Sequence, residues 1–410
     1  MNFLGLFCSG INQTFWKHGG DFMEDIKKAV CQAEDNISGW AEEISDYLFN
    51  NPELSDEEFN SSAYLVERLR GAGFKVTYPY LGIKTAFRAE YGNGDGRTVA
   101  FPAEYDALPG YGADHNQPAH ACGHNWIAGS TLAAARALAD TSHLFNGNIV
   151  VFGTPSEEKS GSKVTFAECG AFNGIDAVLQ MHLGRVNCVD TTAMAMTDYV
   201  FEFYGKEAHA AKEPEKGINA LDACHLVLAG INAMRQQFGA GVKIHEIITN
   251  GGQTPNIIPG YASMWIFVRA VDKELLERAA ERVVNIGKGA SLMTGAEFVF
   301  KRAENTFYDI KRDENLNSLM KANLAGLGIT GLEEGDKYHC ESTDIGNVSY
   351  VCPTCYTTLS TAHLSDAGVH EQGFIEVAGS KGAKKLMHIA AKAMAMTALD
   401  VMAHFTCQTT

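Results

Sequence analysis

From about Thr192 to Asn305 the apolar patterning of this chain changes rhythm, and that change constrains the fold more than anything else in it. A strand-like run, DYVFEFYG, precedes a helical one, INALDACHLVLAGINAMRQQF. Two strand-like runs follow, VKIHEIITN and YASMWIFVRA, then a helical DKELLERAAERVVNIGKGASLMTG and a last strand, EFVFKRA. The order β-α-β-β-α-β predicts a ferredoxin-like α+β unit. Outside it a different pattern resumes with DENLNSLMKANLAGLGI, and a long helix runs from Glu376 through KGAKKLMHIAAKAMAMTALDVM. One domain is therefore expected inside another, at 192–305, with the outer domain divided into 23–191 and 306–410.

The outer domain reads as α/β. NISGWAEEISDYLFNN and EEFNSSAYLVERLRGAGF are helical, with Gly71 as a C-terminal stop. KTAFRAEY and TVAFPAEYDAL alternate as strands, and Asn93-Gly-Asp-Gly96 between them predicts a hairpin. NWIAGSTLAAARALAD is a small-residue helix able to lie close to a sheet. NIVVFGT and DAVLQMH are short apolar runs suited to strands buried on both faces. Strands alternating with helices predict a mixed sheet flanked by helices.

Composition excludes more than it selects. A net charge of −16 over 410 residues argues against nucleic acid or an anionic membrane as partner. No apolar run approaches the roughly 20 residues of a membrane helix. The opening MNFLGLFCSGINQTFWKHGG lacks a basic segment and an Ala-x-Ala-like cleavage site, so residues 1–22 are expected to be a flexible extension. Ten scattered cysteines without a secretion signal fit reduced thiols and a cytoplasmic location.

Chemistry concentrates at predicted strand ends, where open α/β sheets place their sites. HACGHN (120–125) follows EYDALP (104–109), and one residue separates Cys122 from His124, so both can face one cation. GTPSEE supplies Glu157 and Glu158, and QMHLG supplies His182. A thiolate, imidazoles and a carboxylate pair suit zinc or manganese better than calcium. The pairing points to metal-assisted hydrolysis.

EYDALP, HACGHN, GTPSEE, MHLG, GKEAHAA, TPNIIP, STDIGNVS and HEQGF occur in that order from Ile37 onward. Together they resemble the di-metal aminoacylase and carboxypeptidase type amidohydrolases, metallopeptidase family M-20, subfamily D. HACGHN, in place of the commoner HACGHD, leans toward the branch of aminobenzoyl-glutamate and dipeptide hydrolases. The resemblance implies a zinc-peptidase-like catalytic domain with an inserted lid through which a homodimer forms. It implies two divalent ions per subunit, zinc or manganese ahead of cobalt or nickel, on Cys122, His124, Glu158, His182 and His370. Glu157 would be the general base for the attacking water. His209, in GKEAHAA, would hold the oxyanion in the partner's site. Asn256 and Arg269 would take the carboxylate of an acyl-amino acid or dipeptide, and Asp106 would orient a ligand or bridge metals. Ser156 stands where alanine is usual, and Gly184-Arg185 where an aromatic-proline pair is frequent. His363 competes with His370, which keeps the family's spacing to Phe374.

Each residue also has a plainer reading. Cys122 and His182 suit a buried core, Glu157 and Glu158 a solvated surface, His209 an interface and His370 a turn. Asn256 could cap a turn, and Arg269 could make a surface ion pair. Asp344 could line a pocket or serve as the acceptor of a local turn. His225, His245 and His388 read as structural. Two function classes follow: an amidohydrolase, or a lapsed family member acting as a sensor or scaffold.

Overall fold

Short apolar strands that bury both faces need a neighbour along each edge, and the main sheet shows how the chain meets that need. In the computed structural model, which describes residues 11–92, 94–338 and 340–403, three helices come first: α1 (Ile11–Asn36), α2 (Ser38–Asn50) and α3 (Phe59–Gly71). They lead into β1 (Lys75–Thr77), β2 (Phe87–Gly92) and β3 (Thr98–Ala103), then the small ribbon β4 (Leu108–Tyr111) and β5 (Gln117–Ala119). Next come α4 (His124–Asp140), β6 (Asn148–Gly153), α5 (Ser162–Glu168) and β7 (Ala177–Gly184).

The insert is β8 (Ala195–Tyr204), α6 (Ala220–Phe238), β9 (Val242–Asn250), β10 (Tyr261–Ala270), α7 (Lys273–Thr294) and β11 (Glu297–Lys301). The outer unit resumes with α8 (Glu314–Gly326), α9 (Ile345–Ser349), β12 (Thr354–Ser360), α10 (Phe374–Ala378) and α11 (Lys381–Ala403).

The main sheet has the order β1-β2-β6-β3-β7-β12. β6 is antiparallel to β2 and parallel to β3, while β7 is parallel to both β3 and β12. The expected hairpin between β2 and β3 does not form, because β6 lies between them. Its run of buried residues pairs on both edges, which a hairpin partner could not supply. Asn93 itself lies outside the described residues.

Period-two alternation then sorts the side chains. Ala177, Leu179, Met181 and Leu183 of β7 face the core shared with α4 and α11, so Gln180 and His182 point to the opposite face. That alternation aims His182 at the site.

α11 is long and apolar enough to cross a membrane by composition, although no such run was expected from the sequence. Its small residues, among them Ala390, Ala391, Ala395 and Ala398, are buried against α4, α1 and α8 instead. The single closing helix expected from Glu376 is two helices. They break at Gly379, where a Cβ would meet the Phe49 ring at 2.7 Å. At the other end, α1 reaches back to Ile11, so residues 11–22 are helical where a flexible extension was expected, and 1–10 lie outside the described residues.

The second sheet has the order β11-β8-β10-β9 and is antiparallel throughout, the strand arrangement of a ferredoxin-like unit. Asn219 and Asp272 cap α6 and α7 by accepting from backbone amides of the first turn. The two helices cover one sheet face over Phe201, Phe203, Met264 and Ile266. Each buried phenylalanine contributes about 2 kcal/mol relative to exposure. The start of β8 pairs with the segment that follows β11: Met196 and Phe307 exchange both backbone hydrogen bonds, at 2.8 and 2.9 Å.

Candidate metal centre

The turn out of β3 and the start of α4 build the first half of the site. Gly123 has φ 87°, a conformation open to glycine, and it swings the chain from Cys122 into the helix that begins at His124. His124 Nδ1 donates to Asp106 Oδ1 at 2.8 Å. The other oxygen, Oδ2, accepts from Ser55 Oγ at 2.8 Å and from the Glu158 amide at 3.0 Å. Asp106 therefore fixes both a ring and a loop, leaving His124 Nε2 as the free nitrogen.

The remaining donors arrive from three other segments. Cys122 Sγ lies 3.4 Å from His182 Nε2, whose ring is held by Nδ1 donating to Leu183 O at 2.6 Å. Glu158 Oε1 is 3.2 Å from His370 Nε2 and 3.9 Å from His124 Nε2. His370 adopts φ 69°, and its backbone is tied to the HACGHN turn by its amide donating to Ala121 O at 2.8 Å. The structure brings His370 into the cluster; His363 makes no contact with it among the described residues.

Cys122, His124 and His182 can converge on one point. So can Cys122 with Glu158 and His370, and His124 with Glu157 and Glu158. His124 Nε2 is buried without a hydrogen-bond partner, and Glu158 Oε1 has only the His370 ring beside it. Buried polar atoms are rarely left so, and a cation between them would satisfy both. The donor set thus fits divalent metal, and the sharing of Cys122, His124 and Glu158 among the groups suits two adjacent ions.

The charges of the cluster act strongly on one another. Burial disfavours a charged His124, yet Asp106, Glu104 and Glu158 outweigh it and hold its pKa well above the ordinary value. Burial would also raise Asp106, but the His124 charge and hydrogen bond bring it down to about 2. Burial, then Glu158 and Glu157, push the Cys122 thiol well up, so it needs a cation to become a thiolate. Glu157, partly exposed, is raised by desolvation and then by Glu104 and Glu158.

Glu104, Gln180 and Lys163 also complete the site, and none of them was singled out from the sequence. Glu104 Oε2 lies 3.5 Å from His124 Nε2, and its Oε1 accepts from Gln180 Nε2 at 2.6 Å. Lys163, fully buried, pairs with Glu104 at 2.7 Å and with Asp344. Asp344 is thus the buried partner of a lysine, and its Oδ2 also accepts from the Lys163 amide at 2.9 Å. Glu104 and Asp344 converge with Glu157, so Lys163 offsets part of a dense negative cluster.

The inserted unit behaves differently. His209 is exposed and bridges to Ile257, while the Ala210 amide donates to Asn256 O at 3.0 Å. His209 and Asn256 are brought to each other, and among the described residues neither bonds to the cluster. Arg269 is half-buried and donates from Nη1 to Ser342 Oγ at 2.8 Å, beside Glu341 and two residues before Asp344.

Comparison with known proteins places this geometry. A family model described as Peptidase family M20/M25/M40 matches residues 100–352. The chain is 33% identical over 395 residues to the Xaa-Arg dipeptidase of Mus musculus, covering 93% of this chain and 90% of that protein. It is 28% identical over 446 residues to a p-aminobenzoyl-glutamate hydrolase component of Escherichia coli (strain K12), covering 92% of each. Among solved structures, a putative aminohydrolase from methicillin resistant Staphylococcus aureus shares the fold with TM-score 0.77 and 20% identity, covering 92% of this chain and all of that one. A Bacillus subtilis dinuclear metal binding peptidase shares it with TM-score 0.68 and 20% identity, covering 90% of this chain and 99% of that one.

Proposed function

The chain belongs to peptidase family M20/M25/M40, and from that premise we propose that it cleaves the amide bond of an N-acyl amino acid or small dipeptide bearing a free carboxylate. One observation carries the reading: Glu157 stands beside a convergent ligand set whose buried His124 Nε2 lacks a hydrogen-bond partner. In this proposal Cys122, His124, Glu158, His182 and His370 hold two divalent cations, zinc or manganese ahead of cobalt or nickel. Bound there, divalent metal supplies Lewis acidity for the carbonyl and lowers the pKa of the attacking water.

The protein's own groups do the rest. Glu157 takes the proton from the attacking water and returns it to the leaving nitrogen. Arg269, with Nη1 given to Ser342, keeps donors of its planar fork for the substrate carboxylate. That anchor fixes the carbonyl, turning binding energy into orientation.

His209 and Asn256 act, in this reading, on the partner's site in a homodimer formed by the insert. Support comes from their joint placement away from the cluster. Edge strand β9 adds to it, leaving Ile247 59% and Ile248 37% exposed beside unpaired backbone. A cytoplasmic location is proposed with it, since the eight described cysteines are all free.

Substrates to try first follow the relatives' names: dipeptides ending in arginine and N-aroyl-glutamates. Turnover of these acids, with loss of most activity on amidating the carboxylate, is the expected result. Equal turnover of acid and amide would remove the carboxylate anchor from the proposal.

A further inference from the structure

The stretch between α2 and α3 runs Glu53-Leu-Ser-Asp-Glu-Glu58. In the structure it reaches both loops that carry the metal centre. Toward the exit of β3, the Ala107 amide donates to Glu53 O at 2.8 Å, and Ser55 Oγ donates to Asp106 Oδ2 at 2.8 Å. Toward the exit of β6, Ser160 Oγ donates to Asp56 Oδ1 at 3.1 Å, and Lys159 Nζ pairs with Asp56 Oδ2 at 3.0 Å.

Glu58 makes the contact nearest the chemistry. It is fully buried, yet its side chain does not cap the helix it precedes. Its Oε1 accepts from the Ser156 amide at 2.8 Å and from the Asp56 amide at 3.1 Å, while Oε2 has no partner. Ser156 has φ 60°, a conformation that a residue with a side chain adopts at a cost, and it immediately precedes Glu157 and Glu158. The bond from Glu58 therefore holds the strained residue from which both carboxylates are aimed. Desolvation, with the charge of Asp106, pushes the Glu58 carboxyl up to about 8. At neutral pH it is mostly an uncharged acid that accepts hydrogen bonds, a part an amide can also play.

We propose that Glu58 is a positioning residue for the Glu157–Glu158 pair, acting through the Ser156 amide, and that Glu53–Glu58 clamps the β3 and β6 exits in register. The consequence for turnover rests on the hydrolase reading above; the clamp itself does not.

The test compares the full chain with Glu58→Gln, Glu58→Met and Glu58→Asp by hydrogen exchange over residues 153–161 and by steady-state kinetics. Glutamine keeps the acceptor, whereas methionine offers only a weak thioether sulfur and aspartate falls short of Ser156; should the methionine variant not fold, aspartate retains the acid. The Met and Asp variants are expected to exchange at least about 10-fold faster in 153–161. Their kcat should fall about 10- to 100-fold, with KM within about 3-fold. Glu58→Gln should stay within about 3-fold of the parent on both readouts. Parental exchange in 153–161 for the Met or Asp variant overturns the clamp, as does a Gln variant damaged as badly as they are. If the parent hydrolyses nothing on the panel, the proposed function fails, and the exchange rates still decide the clamp.

Discussion

Asp106 holds His124 through a 2.8 Å bond to Nδ1 and thereby decides which ring nitrogen is left to bind metal. The same carboxylate fixes the Glu158 amide with its other oxygen, so one side chain sets the spacing between two candidate ligands. Asp106→Ala is expected to weaken zinc or manganese affinity about 10- to 100-fold. A competition titration against a metal indicator measures it. Unchanged affinity would mean that the ring is oriented by packing alone.

Lys163 is the buried cation between Glu104 and Asp344. Lys163→Met leaves two carboxylates facing each other out of water, so the variant should lose about 3–5 kcal/mol of stability. Urea unfolding at neutral pH is the check. A loss below about 1 kcal/mol, the range of surface ion pairs, would show that the pair is effectively solvated.

Glu58 gives a pH signature with a definite sign. Its carboxyl stays protonated to about 8 in the folded chain, against an ordinary value of 4.5. Between those values the unfolded chain has released a proton that the folded chain keeps, so the group lowers stability as pH rises. Asp106 and Tyr105 are the titratable neighbours that face it. Glu58→Gln removes the ionisation. It should gain on the parent by up to a few kcal/mol between pH 4.5 and 8, at about 1.4 kcal/mol per unit, with no gain near pH 4. Unfolding free energies at those values test this, and a gap independent of pH would contradict it.

His209 and Glu157 should complement across subunits. Mixing inactive His209→Ala with inactive Glu157→Gln protein is expected to restore partial activity, because a mixed dimer contains one site with both groups intact. No recovery, with subunit exchange demonstrated by mass spectrometry, would place His209 in its own subunit's site or outside the reaction.

Much of the site was legible because its chemistry is local. One residue separates Cys122 from His124, Glu157 and Glu158 are adjacent, and His182 ends an apolar run that reads as a strand. The β-α-β-β-α-β insert was legible for a similar reason: each run shows its own periodicity. What escaped is non-local. Nothing in NIVVFG says that it separates β2 from β3, since pairing partners leave no periodic trace. Glu104, Lys163 and Asp344 come from three segments and become a unit only when buried together. Glu58 was read only as part of a helical run, and its burial against the β6 exit is set by segments distant in sequence.

The central claim is that this ligand cluster with Glu157 makes a metal-dependent amide hydrolase. The most direct measurement is release of free amino acid from arginine-terminated dipeptides and N-aroyl-glutamates. It should be made by chelator-stripped protein before and after reloading with zinc or manganese, alongside Glu157→Gln. The account predicts no turnover in the stripped protein and recovery on reloading. Glu157→Gln should lose about 10²- to 10⁴-fold in kcat while binding metal as the parent does. Turnover that survives complete metal removal, or a Glu157→Gln variant that hydrolyses at the parental rate, would contradict it.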